Sequence, residues 1–286
     1  INLMDSVVLF AVLGAALLHA TWNALLKSAG DRMVAMAFQD IVMFCISLFL
    51  IIFIAPTPDI QALPYIVMSV GVLVFYRVFL LKAYRYGDFG RSYPIARGSA
   101  PLLVAIAGIA IGDDVLPLHG YGAILLISIG IIGLIFSKRY AGDKKIDRGF
   151  LYALACGCMI ASYSVIDSRG VRLADTAIGY YAYLSIVSCC WFPAYTVATR
   201  RRALIPMVRP LIGRALIAGN SSAFGYLIII WAYSQSSAVQ VVALRETSVI
   251  FGAVIGAYIL KEGLGPRRIT CSVLVAAGVI FLQLYQ

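Results

Sequence analysis

Residues 82–114, KAYRYGDFGRSYPIARGSAPLLVAIAGIAIGDD, and residues 231–263, WAYSQSSAVQVVALRETSVIFGAVIGAYILKEG, follow one layout 149 positions apart. Ala83 stands against Ala232, Tyr84 against Tyr233, Arg97 against Glu246 and Asp113 against Glu262. Identity is weak, and the matching order of features carries the likeness. A fainter echo joins ALLHATWNALLKS (16–28) to GCMIASYSVIDSR (157–169) at an offset of 141, with Ala20 on Ala161, Thr21 on Ser162 and Trp22 on Tyr163. The chain therefore reads as two related halves.

Both copies are continuously apolar, and so is most of the chain. Apolar residues make up 62% of 286 and charged residues 13%. Soluble domains hold about 45–50% and about 25% respectively. A water-soluble fold could not hide that much apolar surface, so lipid must solvate much of it. Segments that alternated apolar and polar residues would suit a barrel; these do not alternate. The sequence predicts an all-α membrane protein.

A helix rising ~1.5 Å per residue needs about 20 apolar residues to cross a ~30 Å core. Ten segments qualify: 5–27, 34–54, 65–86, 91–112, 119–137, 149–169, 177–199, 210–236, 239–260 and 267–285. The first follows INLMDS, which has no basic region, so it is expected to be a retained helix rather than a signal peptide. Five spans per half is an odd number, which would thread the second half in the opposite sense. The expectation is two inverted five-helix repeats, 1–140 and 141–286, the plan of many secondary transporters.

Lys and Arg report orientation. Of 23, 18 fall on the side opposite the N-terminus, Arg169 and Arg172 fall on the N-terminal side, and Arg77, Arg97 and Arg245 lie within spans. That bias places the basic loops in the cytoplasm and both termini in the periplasm of a bacterial inner membrane. The net charge of +10 is then explained by loops facing anionic headgroups, and no nucleic-acid partner is expected. TRRRALIPMVRP (199–210) is expected as a solvated loop. The six cysteines lie in apolar runs without a CxxC pair, and His19 and His119 are the only histidines, so no metal or cofactor is expected. Neither HExxH nor GxSxG occurs, which argues against a membrane enzyme.

Three stretches carry a family likeness: LLHATWNALLKSAGDR (17–32), SYPIARGSAPLLVA (92–105) and VALRETSVIFGAVIGAYILKE (242–262). With the acidic residues closing spans 4 and 9 (Asp113 or Asp114, and Glu262), they resemble the EamA family of the drug/metabolite transporter superfamily. The resemblance implies ten helices, a central cavity, and movement of small metabolites such as amino acids, often outward. It also implies cytoplasmic termini, against the charge count; the superfamily includes both orientations, and the count is kept here.

Ionisable groups within spans are costly unless paired or hydrated, roughly 2.5–3.5 kcal/mol or more each. His19, Asn23, Asp40, Arg77 and Arg97 share a depth of roughly 6–12 Å from the basic side. One carboxylate, Asp40, is then available to two arginines, leaving spare positive charge for an anionic ligand. His19, Trp22 and Asn23 share one helical face, as do Tyr93 and Arg97, which bracket Pro94. These residues either line a cavity, with Arg97 holding a carboxylate or phosphate, or tie helices together and snorkel to headgroups.

A second cluster is expected from Arg245 and Glu246 with Tyr163, Tyr181, Tyr183 and Tyr226, the last corresponding to Arg77 at the offset of 149. A structural ion pair of Arg245 with Asp167 is the competing reading. Asp40 and Glu246 are the candidates for a counter-ion or a coupling proton. Gly108-x-x-x-Gly112 and Gly252-x-x-x-Gly256 are expected to let helices pack closely within the bundle.

The sequence thus points to a transporter of a small metabolite, for which the charge suggests an amino acid or other zwitterion or anion, working by alternating access. The alternative is a passive channel or a lipid-handling, scramblase-like protein. The expected partners are the substrate and membrane lipids, with the protein a monomer or a weak dimer.

Overall fold

In a computed structural model, residues 5–27, 29, 31–86, 89–112, 116–133, 148–258 and 266–284 are described, with the backbone alone at 27, 89–91, 94, 201–211, 256–258, 266–268 and 284. Among them the regular structure is helical: α1 (Ser6–Lys27), α2 (Arg32–Phe53), α3 (Leu63–Tyr86), α4 (Phe89–Ile111), α5 (Leu118–Gly133), α6 (Arg148–Arg172), α7 (Ala177–Ser188), α8 (Trp191–Gln235), α9 (Ala238–Arg245), α10 (Ser248–Tyr258) and α11 (Pro266–Leu284). Seven stretches are long and apolar enough to cross a membrane: Ser6–Leu26, Arg32–Phe53, Ile60–Tyr86, Arg148–Arg172, Ala177–Arg200, Ile212–Gln235 and Ala238–Ile255. Shorter apolar helices, Ile95–Ile111, Leu118–Gly133 and Ile269–Gln283, fall on the other three expected spans.

The polarity of the bundle is that of a protein in lipid. Phe10, Phe53 and Val67 are about 70% exposed on the outside, whereas Asp40, Asp167 and Glu246 are fully buried. With water as solvent both placements would be unfavourable; with hydrocarbon outside, both are expected. The chain is an integral, multi-pass membrane protein.

Three expected boundaries change. The seventh span is interrupted at Cys189–Cys190, three to four residues before Pro193, which has no N–H to close a helical hydrogen bond onto that turn. The expected loop 199–210 is instead helical backbone inside α8, bent at Arg200 (φ −134°, ψ 26°), and it is rich in the helix formers Arg, Ala, Leu and Met. The ninth span breaks at Glu246–Thr247 into α9 and α10; Glu246 caps α9, its N–H turned back onto the last carbonyls.

Asp31 caps α2 through the N–H groups of Met33 and Val34, and its other carboxylate oxygen takes the Arg200 guanidinium at 2.7 Å. That contact ties the turn before α2 to the bend in α8.

The first five helices meet the last six in reciprocal sets. α3 packs along α6, as α1 does along α8; α4 packs on α6, as α1 does on α9 and α10; α2 meets α8, as α3 meets α7. α2–α7, α4–α9 and α5–α11 complete the seam. Glycines permit the tightest approaches. A Cβ at Gly219 would lie 2.4 Å from Val42, one at Gly157 2.9 Å from the Ala96 carbonyl oxygen, and one at Gly278 2.6 Å from Ile127. Of the glycine spacings singled out in the sequence, Gly112 and Gly252 face open space, while Gly108 is buried. Any small residue satisfies such a spacing, but only helix rotation decides which one meets a neighbour. Asp113, Asp114, Glu262 and most of the loop at 138–148 lie outside the described residues.

Candidate functional site

At the seam lies a cavity of about 110 Å³. α1 presents its expected face to it. His19 and Trp22 both line the cavity, the Trp22 Nε1–H donating to His19 Nδ1 at 3.1 Å with the rings edge to face. Asn23 does not line it. Its side-chain amide instead donates to the His19 carbonyl at 2.7 Å, one turn back.

From α3, Tyr76 and Arg77 reach the cavity. Arg77 grips both oxygens of Asp40, Nη2 to Oδ1 at 2.8 Å and Nη1 to Oδ2, with its guanidinium 5.4 Å from the centre of the Phe192 ring. A planar fork on a carboxylate is the geometry in which a buried pair best offsets its desolvation. Arg77 therefore turns into the bundle rather than snorkelling.

Arg97 corrects the sequence reading. It does not share Asp40 and does not line the cavity. Its Nε lies 3.3 Å from Glu246 Oε2, its Nη2 donates to Ser248 Oγ at 3.2 Å, and Tyr93 stacks beneath the guanidinium at 6.0 Å. Tyr93 is half-buried and away from the cavity. Equal depth along a helix had suggested Asp40 as partner; the packing of α4 on α9 supplies Glu246 instead.

Arg245 does line the cavity, 6.0 Å from the Tyr163 ring centre, with its Nε 3.9 Å from Glu246 Oε1. Glu246 thus lies between two arginines, buried and behind the cavity wall. Asp167 is not the partner of Arg245; it accepts hydrogen bonds from the Tyr180 hydroxyl at 3.0 Å and from the Tyr226 hydroxyl. Tyr226 and Tyr163 line the cavity edge to face, and Tyr181 packs behind Tyr226 at 6.1 Å. Tyr183 packs, half-buried, against the apolar core and does not line the cavity.

Within the bundle, half-buried Arg77 and buried Arg97 and Arg245 are matched in number by three buried carboxylates, Asp40, Glu246 and Asp167, although Asp167 is held by tyrosines. The spare positive charge expected from the sequence is absent from that count. Sequence reasoning also missed one wall. Gln39 from α2, Ser185 and Ser188 from α7, and Ser221 and Ser222 from α8 line the cavity. Their helical spacing inside apolar spans was the available signal (Ser185 and Ser188 at i, i+3; Ser222 and Tyr226 at i, i+4).

The lining has a register. Leu73, Tyr76, Arg77 and Leu80 stand 149 positions before Ser222, Gly225, Tyr226 and Ile229, and all eight line the cavity. The same holds for Met36 with Ser185 and Gln39 with Ser188, and at 141 for Trp22 with Tyr163. Arg97 and Glu246, also 149 apart, touch each other.

No curated protein matches the chain. Among solved structures, 29 chains resemble it. One, described only as the crystal structure of a protein, has a TM-score of 0.75 at 14% identity, over 98% of this chain and 97% of its own. At that identity the likeness concerns the fold alone. Residues 147–284 match the EamA-like transporter family. That stretch, just under half of the chain, is similar to the EamA-like transporters of the drug/metabolite transporter superfamily, which points to a membrane transporter of that type.

Proposed function

We propose that this protein is a secondary transporter that carries a small metabolite outward across a bacterial inner membrane by alternating access. Its moving parts are two inverted five-helix halves, 1–140 and 141–286, which together place ten helices in the bilayer. The observation that carries this reading is the cavity lined by register-equivalent pairs from both halves, such as Arg77 with Tyr226 and Trp22 with Tyr163. Equivalent residues surround a common point only if that point lies near the axis relating the halves, where such transporters bind substrate. The contact between Arg97 and Glu246 supports the same axis, and the family match beginning at residue 147 supports the boundary.

Binding at the axis can favour reorientation only by holding the ligand differently in the two facing states. Counterflow in proteoliposomes tests this. Labelled solute should accumulate against unlabelled solute inside and exchange faster than it leaks. Leak without trans-stimulation would replace the carrier by a channel or a lipid-handling protein.

Orientation rests on the Lys and Arg bias. With the six native cysteines replaced, Gly142→Cys should react with a membrane-impermeant maleimide only after the inner membrane is opened. Labelling of intact spheroplasts would place this loop, and both termini, on the reverse sides.

A further inference from the structure

Among the described residues three carboxylates are fully buried, and they are held in two different ways. Asp40 takes the Arg77 fork, and Glu246 lies between Arg97 and Arg245. A proton on either would strand a buried guanidinium, which is strongly unfavourable. Asp167, on α6, differs. Among the described residues no Lys, Arg or His forms an ion pair with it. Its oxygens accept from neutral phenols, Oδ1 from the Tyr180 hydroxyl at 3.0 Å and Oδ2 from the Tyr226 hydroxyl. A proton there strands no cation. Carboxylates at such depth are costly to keep charged and mark ion paths and proton relays.

The repeat sharpens the contrast. Tyr226 stands 149 positions after Arg77, and each grips a buried carboxylate from the cavity wall. In the first half the grip is a permanent cation, which fixes the charge. In the second it is a hydroxyl, which has one proton to give and lone pairs to receive, and so suits either protonation state.

The surroundings of Asp167 come from every packed neighbour. α3 presents Ser69, with Tyr65 beyond Tyr180; α7 presents Tyr180; α8 presents Tyr226 and Tyr233; α9 presents Arg245 at longer range. α4 brings Tyr93 and Arg97, which face each other and Glu246, and the short turn Ile60–Ala62 brings no titratable side chain. α6 itself adds Tyr163, set against Tyr226 and Arg245. Of these, Tyr226 alone both touches Asp167 and lines the cavity.

We propose that Asp167 is a proton-binding site, loaded from the cavity and emptied to it through the Tyr226 hydroxyl. A hydronium ion in the cavity gives a proton to the Tyr226 oxygen, and the phenol's own proton passes to Asp167 Oδ2. Hydronium becomes water, the carboxylate becomes an acid, and Tyr226 is neutral before and after. About 110 Å³ is room for several waters. Resting on the transport reading, this makes the proton the coupling ion. Proton binding is read without any solute, however. A titrating Asp167 without counterflow would sink transport alone, and counterflow with a silent Asp167 would sink the proton site alone.

Infrared difference spectra of the purified full-length protein in nanodiscs, recorded as pH is stepped, test this with the proton itself as probe. A protonated carboxyl group has a C=O stretch that neither an ionised carboxylate nor His19 shows. Subtracting the Asp167→Asn spectra from the wild type should leave one such band, present at low pH and absent at high pH. In Tyr226→Phe the band should remain, but its exchange in heavy water should slow by about a hundredfold, because the positioned relay is gone. Tyr180→Phe should leave the exchange rate unchanged, since Tyr180 touches Asp167 without lining the cavity. Both substitutions remove one hydrogen bond to Asp167, so a merely structural role would affect them alike. Should Asp167→Asn fail to yield monodisperse protein, Asp167→Glu keeps the acid, and the band should shift in frequency rather than vanish.

The proposal is overturned if the subtraction leaves no band or if the band persists at every pH. It is also overturned if Asp167→Glu leaves the band unmoved, if exchange is as fast in Tyr226→Phe as in the wild type, or if the two phenylalanine variants slow it alike.

Discussion

Glu246→Gln is expected to be among the most destabilising single substitutions in this protein, costing about 3–5 kcal/mol. The side chain keeps its size, so packing is conserved and the loss is electrostatic. Glu246 is fully buried between Arg97 Nε at 3.3 Å and Arg245 Nε at 3.9 Å. Without its charge, two buried guanidinium groups remain, Arg245 at the cavity wall and Arg97 behind it, with no carboxylate between them and with mutual repulsion added. Thermal unfolding in a fixed detergent, followed by intrinsic fluorescence, should show a large downward shift.

Removing one arginine from the same background should recover most of that loss. Arg97→Gln is the better choice, because Arg97 makes the shorter contact. A Glu246→Gln protein within about 1 kcal/mol of wild type would mean that the arginines already reach water or headgroups, and the buried cluster would be wrong.

Asp40→Ala should have a comparable effect, about 3–5 kcal/mol, through a different network. Asp40 is fully buried, both its oxygens are taken by Arg77, and the Arg77 side chain is only 13% exposed. Removing the carboxylate leaves a buried cation beside Phe192, whose ring offers only a partial substitute. The double substitution Asp40→Leu with Arg77→Met should fold nearly as well as wild type, because a matched apolar pair avoids the desolvation cost that the ion pair must offset. If the double variant is no more stable than Asp40→Ala, the pair is not the source of the loss. Counterflow of the double variant adds a second result: a stable protein without exchange would place Arg77 in the transport cycle as well as in the fold.

The two networks show where reading one sequence succeeds and where it stops. Depth along a helix is legible, because each residue advances a fixed distance. His19, Asp40, Arg77 and Arg97 could therefore be placed at similar depth, and His19, Trp22 and Arg77 do meet at the cavity. Rotation and neighbour choice are not encoded in depth. Asp40 thus became a partner of Arg97 on paper, whereas the fold gives Arg97 to Glu246. The repeat held a hint: Arg97 and Glu246, which align at the offset of 149, touch each other. The uncharged wall of Gln39, Ser185 and Ser188 was overlooked for another reason. Single hydroxyls and amides are common in membrane helices, where they bond back to their own backbone, as Ser162 and Thr196 do here.

What the sequence alone determined was the solvent and the helical class. Runs of about 20 apolar residues leave no option but hydrocarbon, since a buried backbone must satisfy its own hydrogen bonds as helix. What only the tertiary structure decided was which charges meet. It also decided where the seventh and ninth spans break. These outcomes depend on contacts between helices far apart in the chain, such as α4 with α9 and α2 with α7. A pairing energy that depends on the distance between two atoms cannot be read from the position of either one along its own helix.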